Sequence, residues 1–269
     1  MQDKILISVA GASGRMGKML IKAINETPET SLCAATCHPT ENEIIGQDAG
    51  LLSGINKINV AISPDPKDLL IADVIIDFTT PEVSIEHCRI AKNSNIAHVI
   101  GTTGLSEEQE KELKSISIKK PIVYASNMSV GVNLLTELVE KTVLSLGNDW
   151  DIEILEMHHR NKVDAPSGTA LSLGKAAAKA KNKNLNDIAK FTRYGQTGGR
   201  SNDEIGFAVM RGGSVVGDHK VVLSSGDERI ELTHKAGDRS IFASGAVRAA
   251  LWLQNKQNGL YSMKDVLGF

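Results

Sequence analysis

The sequence is short of cysteine, of aromatic residues and of net charge, and it has no long apolar run; each shortage removes a class of protein. Only three cysteines (Cys33, Cys37, Cys88) occur in 269 residues, an odd number without paired ligand spacing. That excludes a disulfide scaffold, and Cys33, Cys37 and His38 fall short of the ligand set a structural zinc wants. Reduced thiols and no metal are expected. The 30 Lys+Arg against 32 Asp+Glu leave a net charge of −2. No overall positive field results, so a dedicated nucleic-acid binder is not expected. Met1-Gln2-Asp3-Lys4 leads straight into an apolar run over 5–10 that is too short for a signal peptide or a membrane span. A cytoplasmic protein without a membrane partner is the expectation.

What is present, in the first half, is alternation. Short β-branched runs at 5–10, 31–35, 74–78, 98–101 and 122–125 read as strands, with helical spacing at 15–25, 83–92 and 106–116 between them. Ser106 with Gln109 has the capping-box pattern. A helix over 130–146, a strand over 151–157 and a helix opening at Ser167 behind Pro166 follow. From 205 to 236 the pattern becomes consecutive strands, at 205–210, 215–216, 220–224 and 229–234. Gly212-Gly213 and Gly226-Asp227 read as turns between antiparallel neighbours. The mixed Ala and Lys of 175–183 read as a solvated helix end and surface loop, and a last helix over 241–254 suits either half.

Gly11-Ala12-Ser13-Gly14-Arg15-Met16-Gly17 follows the first strand and opens the first helix. Gly11 permits a tight turn, Gly14 lets backbone N–H groups approach a pyrophosphate, and Gly17 allows close packing of helix on strand. The spacing is G-x-x-G-x-x-G rather than G-x-G-x-x-G, so a plain tight connection is the competing reading. Arg15 at the helix mouth suits a diphosphate. After the second strand stand Thr36-Cys37-His38-Pro39-Thr40-Glu41, with no acid at the strand end to read a ribose. His38, when charged, can face a phosphate, so NADH and NADPH both fit, as do plain loop residues. Two more strand ends, Gly101-Thr102-Thr103-Gly104 and Ala125-Ser126-Asn127-Met128, leave room for a nicotinamide and supply hydroxyls and an amide for its carboxamide. The expected fold class is α/β: a Rossmann-like parallel-sheet cofactor domain plus a second α+β domain with a mixed, largely antiparallel sheet.

The densest chemistry lies in 153–170, where His158, His159, Arg160 and Lys162 crowd a strand end and a helix opens behind Pro166. With the backbone amides of Gly168 and Thr169 this makes a receptor for carboxylates, and a small dicarboxylate is the expected ligand. His158 and Lys162 are the candidate proton donors. Arg160 reads equally as a surface ion pair. A metal on His158 and His159 is disfavoured, because neighbours on a strand point to opposite faces.

The segment 153–170 resembles the signature of the 4-hydroxy-tetrahydrodipicolinate reductases, also called dihydrodipicolinate reductases, of lysine and diaminopimelate biosynthesis. The similarity extends to 9–17, to Ile76-Asp77-Phe78-Thr79, to 101–104, to 127–133 and to Gly245-Ala246-Val247-Arg248. The resemblance implies reduction of a cyclic imine-enamine by NADH or NADPH with loss of water from the substrate. It makes His158 the proton donor/acceptor and Lys162 the second donor, with His159, Gly168 and Thr169 on the substrate carboxylates and Thr103 joining them. Cofactor contacts fall on Gly11, Ala12, Ser13, Gly14, Arg15 and Met16, on Gly101, Thr102 and Thr103, and on Ala125, Ser126, Asn127 and Met128. Where the family often has a charged residue, this chain has Cys37 and His38. The resemblance also implies a cofactor domain of 1–127 with 240–269, a substrate-binding and oligomerisation domain of 128–239, and a homotetramer. Hinges near 127–129 and 238–239 would close nicotinamide onto substrate and let Arg239 approach a carboxylate. Two other readings differ at testable points: a related dehydrogenase acting on another small carboxylate or aldehyde, and a non-catalytic dinucleotide sensor.

Overall fold

The computed structural model describes residues 4–269; Met1, Gln2 and Asp3, which open the N-terminal reading, lie outside the described residues. The chain begins β1 (Ile5–Ala10), α1 (Arg15–Glu26), β2 (Thr30–Thr36), α2 (Ala49–Leu52), β3 (Ile62–Ser63), a 3-10 helix (Pro66–Ile71) and β4 (Val74–Asp77). It continues α3 (Pro81–Ile90), β5 (Ala97–Ile100), α4 (Glu107–Ser117), β6 (Pro121–Tyr124), α5 (Val130–Leu146), β7 (Asp151–His158) and α6 (Gly168–Ala180). It ends α7 (Leu185–Ile188), β8 (Ala189–Lys190), β9 (Ile205–Arg211), β10 (Gly217–Ser224), β11 (Arg229–Ala236), α8 (Ser240–Leu253), β12 (Gly259–Tyr261) and α9 (Met263–Leu267). By contacts it divides into Met1–Val130 with Ser240–Phe269, and Gly131–Arg239.

In the first unit seven strands lie in the order β12-β6-β5-β4-β1-β2-β3, and every pairing is parallel. β4 and β5 are buried at every position, as continuous apolar strands must be when helices cover both faces of a sheet. On one face Leu20, Ile21 and Ile24 of α1 and Ala246, Val247 and Ala250 of α8 pack on Ile7, Val9 and Val99. On the other, Ile85 and Cys88 of α3 and Leu113 and Ile116 of α4 pack on Ile100 and Ile122. The α4 N-terminus carries the Ser106–Gln109 capping box. Gly245 seats α8 closely: a Cβ there would lie 1.8 Å from the Met128 carbonyl oxygen. From β1 the chain passes to β2 and β3 on one side and returns to β4 on the other. The crevice at this reversal, beyond the carboxyl ends of β1 and β4, is where open α/β sheets bind ligands. β12 was not anticipated; three residues are too few to show a strand pattern.

In the second unit five strands lie in the order β11-β10-β7-β9-β8. β7 alternates half-buried and buried, which puts Ile152, Ile154, Glu156 and His158 on one face. Leu135, Val139 and Val143 of α5 and Ala170, Leu173 and Ala177 of α6 share a core with Ile152, Ile154, Val221 and Leu223. The sheet is mixed: β10 is antiparallel to β7 and β11, whereas β9 is parallel to β7 and β8. Two expectations need correction. Residues 215–216 form no strand, and Gly212-Gly213 does not join antiparallel neighbours, because β9 and β10 flank β7 on opposite sides. That connection instead crosses the end of β7, with Gly212 N–H donating to His158 O at 2.9 Å and Arg160 N–H to Gly213 O at 3.2 Å. The Gly226-Asp227 turn does close a hairpin, β10 to β11. The 175–183 stretch is less solvated than its composition suggests: Ala176, Ala177 and Ala178 are buried, and so is Lys181, whose Nζ lies 3.3 Å from Asn202 O and 3.5 Å from Trp150 O. Among the described residues no helix is long and apolar enough to cross a membrane.

Candidate functional site

The glycine turn is built to receive an anion. Gly11 sits at φ +72°, and a Cβ on Gly17 would stand 2.1 Å from the Gly11 carbonyl oxygen, so α1 can meet β1 this closely only with glycine there. Ala12 N–H donates to Thr36 O at 2.7 Å and Gly14 N–H to Gly11 O at 3.1 Å, tying the turn to itself and to the end of β2. α1 starts behind Gly14 with no side-chain cap and no acid in its first turn. The positive end of the helix dipole is therefore left to an external anion, beside the exposed Arg15. These features fit a dinucleotide diphosphate.

The other strand-end loops stand along the same carboxyl edge. Asp77, at the end of β4, is fully buried and accepts from Thr79 N–H at 3.0 Å, Thr79 Oγ1 at 2.6 Å and Ser84 Oγ at 2.8 Å, with His87 Nδ1 at 2.7 Å. Burial alone would raise its pKa; the neighbouring His87 and His98 outweigh that and hold it well below the usual carboxylate range. Ser84 Oγ in turn lies 2.6 Å from Thr102 Oγ1, so Asp77 fixes the Gly101–Thr103 loop through one hydroxyl. A Cβ on Gly101 would collide with the Phe78 ring at 2.2 Å. Thr102 is buried and spends its hydroxyl internally, while Thr103 is exposed. Ser126 is exposed and Asn127 Oδ1 accepts the Ser129 N–H at 2.9 Å. Met128 and Ala12 are buried in the core, which leaves their backbones rather than their side chains to face a ligand.

In the second unit the candidate proton donor is gripped by a carboxylate that sequence reasoning passed over. Glu156 and His158 sit two apart on the buried face of β7, and His158 Nδ1 lies 2.6 Å from Glu156 Oε2. Arg211, at the end of β9, holds the same carboxylate with two bonds of 2.8 and 2.9 Å, and Ser167 N–H donates to Oε1 at 3.0 Å. Burial pushes the Glu156 pKa up, but Arg211, His158 and the Ser167 amide together bring it below the ordinary value. The site therefore keeps a carboxylate against His158, which fixes the ring and leaves Nε2 as the outward nitrogen. A Cβ on Gly217 would lie 3.0 Å from that Nε2. His219 packs edge-on to His158 at 5.1 Å and lies 3.0 Å from Ser167 Oγ, which also caps α6 by accepting Ala170 N–H. Burial first, and the charges of His158 and other neighbours second, hold His219 down to about 4.

Lys162 is anchored at the rim, its Nζ 2.8 and 2.9 Å from the Asp164 carboxylate oxygens, while the Asp164 carbonyl accepts from Arg211 at 2.7 Å. His158, Lys162, Ser167 and the first turn of α6, with Gly168 and Thr169, are thus linked through Glu156, Arg211 and Asp164. His159 lies just beyond β7 and is half-buried; Arg160 is exposed. Glu156, Arg211 and His219 carry no motif of their own. Only the i, i+2 spacing of Glu156 and His158 on a strand could have signalled the pair.

A family model described as dihydrodipicolinate reductase, N-terminus, matches residues 5–128, and one described as dihydrodipicolinate reductase, C-terminus, matches residues 131–267. A 4-hydroxy-tetrahydrodipicolinate reductase of Rhizobium rhizogenes is 49% identical over 268 residues, covering 99% of this chain and 97% of that protein. One of Methylocella silvestris is 51% identical over 261 residues, covering 97% of this chain and 96% of the relative. Among solved structures, a dipicolinate-bound dihydrodipicolinate reductase from Paenisporosarcina sp. TG-14 shares the fold, with a TM-score of 0.78 at 23% identity over 96% of this chain and 97% of that one. Matched by both halves of the family description and by relatives of about its own length, this chain belongs to the dihydrodipicolinate reductase family.

Proposed function

We propose that this protein catalyses the NAD(P)H-dependent reduction of 4-hydroxy-tetrahydrodipicolinate to tetrahydrodipicolinate, with loss of water, in lysine and diaminopimelate biosynthesis. The observation that carries the proposal is the Glu156–His158 pair at 2.6 Å, braced by Arg211, immediately before an α6 N-terminus suited to a carboxylate. When bound, the reduced nicotinamide supplies the hydride. The chain's own residues do the rest. Gly11, Ala12, Ser13, Gly14, Arg15 and Met16 hold the diphosphate; Gly101, Thr102, Thr103, Ala125, Ser126, Asn127 and Met128 line the nicotinamide end. Gly168, Thr169 and His159 bind the substrate carboxylates with the help of the α6 dipole.

His158 moves a proton at Nε2, while Glu156 on Nδ1 stabilises the imidazolium that forms when the ring takes that proton. Lys162, held by Asp164, is the second proton donor and adds a positive charge for the dianion. The face of the second sheet turned away from α5 and α6, where Ala208 and Met210 of β9 are exposed, supports assembly of a homotetramer through that sheet. The proposed setting is the cytoplasm. Mixing the protein with freshly generated substrate and NADPH or NADH, and following nicotinamide absorbance, tests the activity. Oxidation that needs substrate is expected; cofactor binding without oxidation would favour a sensor.

A further inference from the structure

β2 ends at Thr36, and the Cys37 and His38 that follow offer no carboxylate where a dinucleotide-binding strand ordinarily presents one to the adenosine ribose. The chain brings one back from further along. Glu41 N–H donates to His38 O at 3.0 Å, and the amides of Ile44 and Ile45 return to Glu41 O at 2.9 and 3.3 Å, so the loop folds tightly on the strand end. Glu41 Oε1 then accepts the His38 N–H at 3.1 Å and the Ser13 hydroxyl at 3.0 Å. Ser13 belongs to the glycine turn, itself tied to Thr36 by the Ala12 amide. One half-buried carboxylate is thus pinned both to the end of β2 and to the turn that receives the diphosphate.

We propose that Glu41 reads the adenosine ribose and makes this chain select NADH over NADPH. The proposal rests on the NAD(P)H reading above and adds the specificity that reading lacks. With Oε1 held by two donors, Oε2 is left to accept from a ribose 2′-hydroxyl. A 2′-phosphate in the same place would meet a fixed negative charge and offer it no proton. The cations nearby do not reverse this. His38 Nδ1 lies 3.3 Å from the Thr40 amide nitrogen and 2.7 Å from Thr40 Oγ1, so that nitrogen is occupied within its own loop and the ring has at most the single Nε2 donor to set against the fixed Glu41 charge. Arg15 opens α1 on the diphosphate side of the turn. His38, read from sequence as a phosphate contact, is therefore assigned a backbone part in placing Glu41.

The test is binding and turnover with both cofactors, on the wild-type chain and on Glu41→Gln. The expected result is a wild-type preference for NADH of about tenfold or more in Kd and in kcat/KM, falling severalfold toward parity in Glu41→Gln through weaker NADH and stronger NADPH binding. Equal or tighter binding of NADPH by the wild type overturns the proposal, and so does a preference ratio that Glu41→Gln leaves unmoved. Binding of 5′-AMP against 2′,5′-ADP to the wild-type protein reads the ribose contact without turnover and without relying on a variant that folds. Tighter 5′-AMP supports Glu41 even if no reduction occurs, whereas tighter 2′,5′-ADP overturns it while leaving the reductase reading intact.

Discussion

Replacing Glu156 by Gln removes one charge and almost no volume, at a carboxylate that accepts four hydrogen bonds: two from Arg211, one from Ser167 N–H and one shared with His158. Glutamine keeps one acceptor oxygen and puts a donor-only amide in the other place, facing Arg211 and the Ser167 N–H if it takes the Oε1 position, or Arg211 and His158 Nδ1 if it takes the Oε2 position. In either case a guanidinium with 20% of its side chain exposed loses its counter-charge. Removing one partner of a buried pair costs about 3–5 kcal/mol, and the partial exposure of Arg211 places this one near about 3 kcal/mol. In the second case His158 is pushed to the wrong tautomer and its charged form loses its support. General acid–base assistance contributes roughly 10²–10⁴ in rate, so kcat is expected to fall by about 10² or more while cofactor affinity holds. Urea titration gives the first quantity; kcat against pH, at saturating cofactor and substrate, gives the second. A Glu156→Gln protein with kcat within about twofold of wild type and an unmoved pH profile would refute the assignment of Glu156 as the residue that positions His158.

Lys162→Met should lower kcat far more than it weakens NADH binding, since the ammonium serves the substrate; steady-state kinetics beside cofactor titration separate the two. Acidification should expose His219: its folded pKa of about 4 lies below the ordinary 6.5, so the neutral ring's stability is intact above pH 6.5 and is lost as pH falls toward 4. That loss amounts to about 3 kcal/mol. Chemical denaturation at the two pH values should therefore show a smaller drop for His219→Gln than for wild type. Gly17→Ala places a Cβ 2.1 Å from a backbone oxygen, which α1 can relieve only by moving off β1. A destabilisation of at least about 1–3 kcal/mol and a loss of NADH affinity are expected, by thermal melting and cofactor titration; wild-type values for both would refute the close-packing argument.

Elements were legible where one local rule decides them. β1, α1, β4 and β5 follow from apolar period and length, and the α4 start from a four-residue capping pattern. What needed the third dimension was strand order. Nothing local tells Gly212-Gly213 that β7 lies between the strands it connects, or tells Lys181 that backbone carbonyls at Trp150 and Asn202 wait for it. The same division runs through the candidate site. His158 and Lys162 stand out because they are clustered in sequence. Arg211 reaches Glu156 from 55 residues away and Glu41 reaches Ser13 across 28, so only a fold brings either pair together. The Asp77–Ser84–Thr102 chain is likewise invisible in a motif that shows only Asp77.

The central claim is transfer of a hydride onto a substrate whose proton comes from the Glu156-supported His158. The direct measurement supplies nicotinamide deuterated at the transferable position, together with 4-hydroxy-tetrahydrodipicolinate, and follows the product by mass spectrometry in wild type and His158→Ala. Deuterium appearing in tetrahydrodipicolinate with wild type, and its rate of appearance collapsing in His158→Ala, is the predicted result. Product without the label, or labelled product formed equally fast by His158→Ala, would contradict the account.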